Sequence, residues 1–250
     1  MKKLGLIGGV GPEATLQYYK EIEYSVMKKL GKPVLPEITI ESLSCFKMIP
    51  FGATQDYEGM TEYILGAVRT LEKANCDFIA LACCTEHMVF DRVARETAIP
   101  MLSLVQVCVS EAKKKKFNKL LLFGTEGTMK DTYFKELFEK EGIQVVTPSE
   151  EDCKWIGWHI ENELEHDVIT KDTKEKFIEI ANKGYSDLGV DAILLGCTEL
   201  PMVYGDVELK IPTLDATKIH IQNIIDEMHE YIGKKQALDL MHENHFVSFT

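Results

Sequence analysis

The sequence predicts an α/β protein of two pseudo-symmetric domains. Each is a four-stranded parallel sheet flanked by helices, and the active site lies at the interface. Three observations carry this. Short apolar runs alternate with stretches whose apolar residues recur at helical spacing, the pattern of parallel βαβ units. Three motifs recur in the same order at nearly constant spacing, which marks an internal duplication. Two of the recurring runs end in cysteine: Asp77-Phe-Ile-Ala-Leu-Ala-Cys83-Cys84-Thr85-Glu86 and Asp191-Ala-Ile-Leu-Leu-Gly-Cys197-Thr198-Glu199, each with aspartate six positions before the thiol.

Leu4–Ile7 reads as the first strand and closes in Gly8-Gly9-Val10-Gly11-Pro12. Pro12 suits a first helical turn, where its missing N–H costs nothing. The helix behind it carries Leu16, Tyr19, Ile22, Val26 and Leu30 on one face, and Gly31 and Pro33 end it. Ile38–Ile40 is the second strand, and Leu43–Gly52 reads as a loop at its carboxyl end. A helix from about Gln55 to Lys73 shows Tyr57, Met60, Ile64, Val68 and Leu71 at helical period. The first cysteine strand follows, then a helix over Thr85–Thr97 and a strand over Ile99–Leu102. The four lysines at 113–116 read as a solvated helix end.

The pattern then restarts. Lys119–Thr125 parallels Lys3–Gly9 at an offset of 116, Cys197 parallels Cys83 at 114, and Ile211–Asp215 parallels Ile99–Ser103 at 112. Residues 1–103 with 214–250 form the expected N-terminal α/β domain, and 104–213 the C-terminal one. A last helix is expected over Ile219–Ile232, and the tail from Gly233 to Thr250 has weaker periodicity.

Composition narrows the function classes. The formal net charge of −12 opposes non-specific binding to nucleic acid or anionic membrane. No apolar run approaches the roughly 18 residues of a membrane helix. The short apolar run at the amino end is broken by glycines and Pro12, so a signal peptide is not expected and the protein is placed in the cytoplasm. Seven cysteines without a CxxC pair argue against a disulfide framework, a zinc ribbon or a thioredoxin-like site. Cys45, Cys76 and Cys108 read as small buried hydrophobes.

Two sites stand out. Gly9 and Gly11 fit the loose fingerprint GxGxxA, but no acid lies about 20 residues on, as dinucleotide binding needs. A tight turn whose N–H groups receive a small anion is the preferred reading, beside a purely structural turn. Cys83 and Cys197 each follow a strand and precede a helix, where a thiolate is favoured. Two facing thiols suit proton exchange at one carbon: one removes a proton from one face while the other donates to the opposite face. A metal is disfavoured for want of further ligands. Alignment on Cys-Thr-Glu pairs Cys84 with Cys197, alignment on the aspartate pairs Cys83 with it, and Cys83 is preferred.

These stretches resemble the cofactor-independent aspartate/glutamate racemases and the wider group holding hydantoin racemase, maleate isomerase and arylmalonate decarboxylase. Gly8–Thr15 is similar to the family's opening motif, Ala82–His87 to its first cysteine motif (Cys-Asn-Thr-x-His), and Gly196–Pro201 to its second. The resemblance implies a racemase of aspartate or glutamate that uses no cofactor, takes a small anionic amino acid and forms a homodimer. Cys83 and Cys197 would be its acid/base pair. Thr85 and Thr198 would hold the α-carboxylate, with Gly9, Gly11, Cys84, Thr125 and Glu199 counted in the substrate site. Lys47 is the candidate grip on the distal carboxylate, beside a reading as a solvent lysine. For a matching basic residue in the second half, His166 and Lys171 are the possibilities. Cys84 stands where the family has Asn, and a thiol makes the amide's hydrogen bonds poorly. His87 reads equally as a packing or a polarising residue. A related cysteine-dependent isomerase or decarboxylase, and a non-catalytic binder of acidic metabolites, are the alternatives.

Overall fold

A computed structural model of the chain describes the backbone of residues 1–31, 33–204 and 209–243 and the side chains up to residue 229. The first half runs β1 (Leu4–Gly8), α1 (Pro12–Leu30), β2 (Ile38–Ser42), α2 (Cys45–Thr54), α3 (Tyr57–Lys73), β3 (Phe78–Leu81), a 3-10 turn (Thr85–Val89), α4 (Phe90–Arg95) and β4 (Met101–Leu102). The second runs α5 (Leu104–Lys114), β5 (Lys119–Phe123), α6 (Glu126–Lys130), α7 (Tyr133–Lys140), β6 (Gln144–Val146), α8 (Glu150–Asn162), a 3-10 turn (Leu164–His166), α9 (Lys171–Leu188), β7 (Ala192–Leu195), α10 (Pro201–Tyr204) and β8 (Thr213–Asp215), and α11 (Ala216–Glu243) closes the chain.

The two sheets have the same order, β2-β1-β3-β4 and β6-β5-β7-β8, and every pairing is parallel. Both halves start their central strands with the same device. The Asp77 carboxylate accepts the Lys3 N–H at 2.6 Å, and the Asp191 carboxylate accepts those of Asn118 and Lys119 at 2.6 and 3.0 Å. Lys3 and Lys119 then each cap the helix before the cysteine strand, on Ala74 O and Leu188 O, both at 2.7 Å. The recurring Asp-to-Cys spacing thus fixes where each strand begins and where it delivers its thiol.

Central strands β1, β3 and β7 are buried along their whole length. Each large apolar side chain so buried stabilises the fold by roughly 1.5–3 kcal/mol before entropy is subtracted. One apolar cluster fills the second half and takes in Leu104, Val105 and Cys108 of α5. A separate cluster joins Leu4, Leu6, Tyr18 and Ile22 to Ile221, Ile224, Ile225 and Met228 of α11, so the last helix returns to pack on the first half.

Three local expectations are corrected. The loop expected at Leu43–Gly52 is the helix α2. Pro50 lies inside it and forgoes one bond of the ladder, and burial of Met48 anchors the helix nonetheless. The single helix expected over Thr85–Thr97 is instead a 3-10 turn and the short α4, because Val89 leaves helical dihedrals (φ −115°, ψ 11°). The last helix runs past Ile232 to Glu243, since Gly233 alone does not stop it. Positions 244–250 of the expected tail lie outside the described residues.

Candidate active site

Strand register settles which residues correspond between the halves. Leu4 pairs with Phe78 and Leu120 with Ala192, so Phe78 matches Ala192 and, at the same offset, Cys83 matches Cys197. Cys84 then corresponds to Thr198, Thr85 to Glu199, and His87 to Pro201.

Cys83 keeps part of its surface open, whereas Cys84 is buried and packs into the second half's apolar cluster. Two contacts bring the second half to this turn. Tyr133 of α7 lies where charge on Cys84 or Cys83 would be felt, and its hydroxyl donates to Thr128 Oγ1 at 3.4 Å. Tyr57 of α3 donates to the Asp131 carboxylate at 2.9 Å and ties the halves beside it. Glu199 reaches both the Cys84 and the Cys197 side of the same region, raising each thiol. Cys84 and Cys197 belong to one buried cluster, which brings the two cysteine-bearing turns together.

Both thiols are harder to ionise than a free cysteine. Burial first, then the Glu86 charge, push Cys83 up to about 12, against amide and hydroxyl donors from Thr85 and the Glu86 N–H that favour its thiolate. Burial first, then Glu199, push Cys197 well above the thiol range, and the Cys197 thiol donates to Glu199 Oε2 at 2.8 Å. The Thr198 hydroxyl donates to the other Glu199 oxygen at 2.6 Å.

Residues 7–224 match the Asp/Glu/Hydantoin racemase family. The chain belongs to this family. It is 23% identical to a broad-specificity amino-acid racemase of Bacillus subtilis (strain 168) over 222 residues, 86% of this chain and 92% of that protein. It is 25% identical to the glutamate racemase of Aquifex pyrophilus over 189 residues, 72% of this chain and 70% of the relative. Among solved structures, an aspartate racemase homologue from Pyrococcus horikoshii OT3 is 31% identical with a TM-score of 0.80, covering 91% of this chain and 99% of that one. Its curated homologues are thus amino-acid racemases, and no described helix is long and apolar enough to cross a membrane.

The remaining residues singled out in the family member's sequence fall in three groups. Gly9 has φ 87°, and a Cβ there would meet Leu43 O at 2.1 Å, so glycine is required. Its N–H is taken by Thr15 Oγ1 at 2.8 Å, which ties the turn to α1. Gly11 precedes α1 with φ 44° and open space around it. Thr125 caps α6, accepting the Thr128 N–H at 3.3 Å.

Lys47 lies on α2 and is exposed, its ammonium 6.0 Å from the Tyr63 ring centroid. Lys171 is exposed at the start of α9 beside Glu175, at 3.6 Å, and His166 closes the second 3-10 turn. The structure puts an acid in that neighbourhood: partial burial and then Glu199 push Glu165 up to about 7.

His87 is a buried fastener. Its Nδ1–H donates to Cys83 O at 3.0 Å and its Nε2 accepts the Leu104 N–H at 3.0 Å, joining the cysteine turn to the start of α5. Burial lowers its pKa to about 4, so it is neutral. The sequence reading passed over Glu86, Glu165 and Tyr133. The signal for Glu86 was present, since Cys-Thr-Glu occurs in both halves.

Proposed function

We propose that the protein racemises an acidic amino acid, aspartate or glutamate, by proton exchange at the α-carbon between Cys83 and Cys197. What carries the reading is that strand register puts a cysteine at the same point of both halves, in a chain whose curated homologues are amino-acid racemases. The thiolate of one cysteine takes the α-proton as the C–H bond breaks; the thiol of the other gives its proton to the opposite face, and the product is the mirror image. Each turn that took a proton is then poised to give one.

The α-proton of an amino acid is far less acidic than a thiol. Burial narrows the gap: a thiolate whose acid ionises near 12 is a much stronger base than one at about 8.5, at a cost of about 1.4 kcal/mol per unit in forming it. The amide donors of Thr85 and Glu86 stabilise the Cys83 thiolate when it forms. The carboxyls of Glu199 and Glu165 suit the substrate's ammonium group, and the threonine-bearing turns its α-carboxylate. No cofactor is called on.

The test is incubation of each enantiomer of aspartate and glutamate in D2O, following α-deuteration by NMR together with optical rotation. Deuterium entering one or both amino acids with inversion is expected. Absence of exchange with all four would reject this substrate class.

A further inference from the structure

Glu86 is the buried ionisable group that the proton exchange leaves unused. It has no exposed surface, and neither carboxyl oxygen has a hydrogen-bond partner. An ionised carboxylate in such a place costs several kcal/mol, so its neutral form is favoured. Its position is not incidental. It lies three residues after Cys83, in the first turn of the 3-10 helix that follows, and its own N–H reaches the Cys83 sulfur. The nearby Cys83 amide is the one group that eases charge on Glu86. No cation is at hand: on α3 and α4, the helices packed against this turn, Glu58, Glu62, Arg69, Arg92 and Arg95 are exposed. Both nitrogens of the neighbouring His87 are engaged. Cys84, Tyr18 and Tyr133, the other titratable groups that sense Cys83, are each raised by burial and held neutral.

We propose that Glu86 is a positioning residue that gates Cys83: while its carboxyl is neutral the thiol can become the base, and once ionised it holds the thiol protonated, so that Cys83 serves only as the acid. Two like charges in one dry pocket disfavour each other, so the pair carries at most one negative charge over a wide range of pH. Burial keeps Glu86 protonated well beyond the ordinary carboxylate range, and its charge is the largest through-space effect on Cys83 after burial itself.

The inference builds on the proton-exchange reading for its part in turnover, but the gate can be read on the thiol directly. Iodoacetamide alkylation of Cys83, followed by mass spectrometry across pH, is compared in the full-length protein and in Glu86→Gln. Gln keeps the shape and resembles the neutral carboxyl. In the wild type the rate should rise, flatten where Glu86 ionises, then rise again. In Glu86→Gln it should rise in one step, with Cys83 reacting at least about tenfold faster than wild type beyond the flattening, one pKa unit or more. The profile of kcat/KM against pH should change shape with KM little altered. Identical one-step alkylation in both proteins overturns the gate. If Glu86→Gln does not fold, the infrared band of a protonated carboxyl in the wild type must disappear over the interval in which Cys83 alkylation flattens; alkylation that climbs steadily through that interval overturns it. Flattening without turnover of any amino acid would instead sink the racemase reading and leave the gate standing.

Discussion

After β3 the chain passes through Cys83, Cys84 and Thr85 into a 3-10 turn; after β7 it passes through Cys197, Thr198 and Glu199 toward α10, which begins at Pro201. The strands before them are equivalent in register, yet the carboxyls reach their thiols differently. Glu199, two residues on, accepts the thiol proton of Cys197 directly at 2.8 Å and is also held by Thr198. Glu86, three residues on, is sealed from solvent with both oxygens bare. Where the second turn has Pro201, the first has His87, whose ring fastens the turn to α5. The two halves hold a thiol at matching register, but the carboxyl behind Cys197 is hydrogen-bonded and partly exposed, whereas the one behind Cys83 is buried and unpartnered. A catalyst that alternates one proton between two bases is not forced to keep the bases alike.

The harshest way to break this comparison is to remove the thiols one at a time. Cys83→Ala and Cys197→Ala should each lower the rate of inversion on the order of 10³-fold, within the range that a positioned acid or base contributes. Each variant should still wash solvent deuterium slowly into one enantiomer, and the two variants should choose opposite enantiomers, because each retains the base on one face. Measured by NMR in D2O, the same enantiomer exchanging in both variants would show that the two cysteines do not face opposite sides of one carbon.

His87 sharpens the contrast in stability. Its folded pKa, lowered to about 4 from the usual 6.5, means that the fold prefers the neutral ring. A depressed histidine contributes stability that is fully present above about 6.5 and is lost as pH falls toward 4. The shift corresponds to about 3 kcal/mol. Urea melts between pH 7 and 4 should therefore show a fall of that order, and His87→Gln, which cannot titrate, should flatten it. His220 is lowered in the same way, to about 3, by burial and then by His87, so part of the slope will persist in the variant. A slope unchanged by the substitution would place the acid sensitivity elsewhere.

These differences between the turns explain how much could be read before the fold was known. Periodicity and repetition were enough for the two sheets, since the Asp-to-Cys spacing acts locally, through the clamp of Asp77 on Lys3 and of Asp191 on Lys119. The helix α2 was hidden because Pro50 and Gly52 read as loop residues, while the burial of Met48 that anchors it is a tertiary effect. Lys47, placed on that missing loop, consequently lies on a helix surface beside Tyr63. Glu86 and Glu199 look identical as letters behind a Cys-Thr pair; only packing makes one an orphan and the other a partner. The choice between Cys83 and Cys84 needed strand register, which is set by the neighbouring strand and not by the motif itself.

The mildest test concerns the second turn. Glu199→Gln keeps an oxygen that can accept the Cys197 proton, so the 2.8 Å contact can survive while the negative charge is lost. That charge, after burial, is what raises Cys197. Removing it lowers the thiol's pKa, so alkylation of Cys197 should begin at lower pH in the variant. Turnover should fall by about tenfold, because the carboxyl proposed to face the substrate's ammonium group has lost its charge. The direction is what matters for the comparison. Relieving Glu199 should move Cys197 as one simple limb, because the Cys197 thiol donates directly to that carboxyl. Relieving Glu86 should instead remove a flattened interval from the Cys83 profile. If both substitutions displaced their thiols in the same way, the two turns would be electrostatic copies of one another, and the difference in burial between their carboxyls would have no consequence for the chemistry.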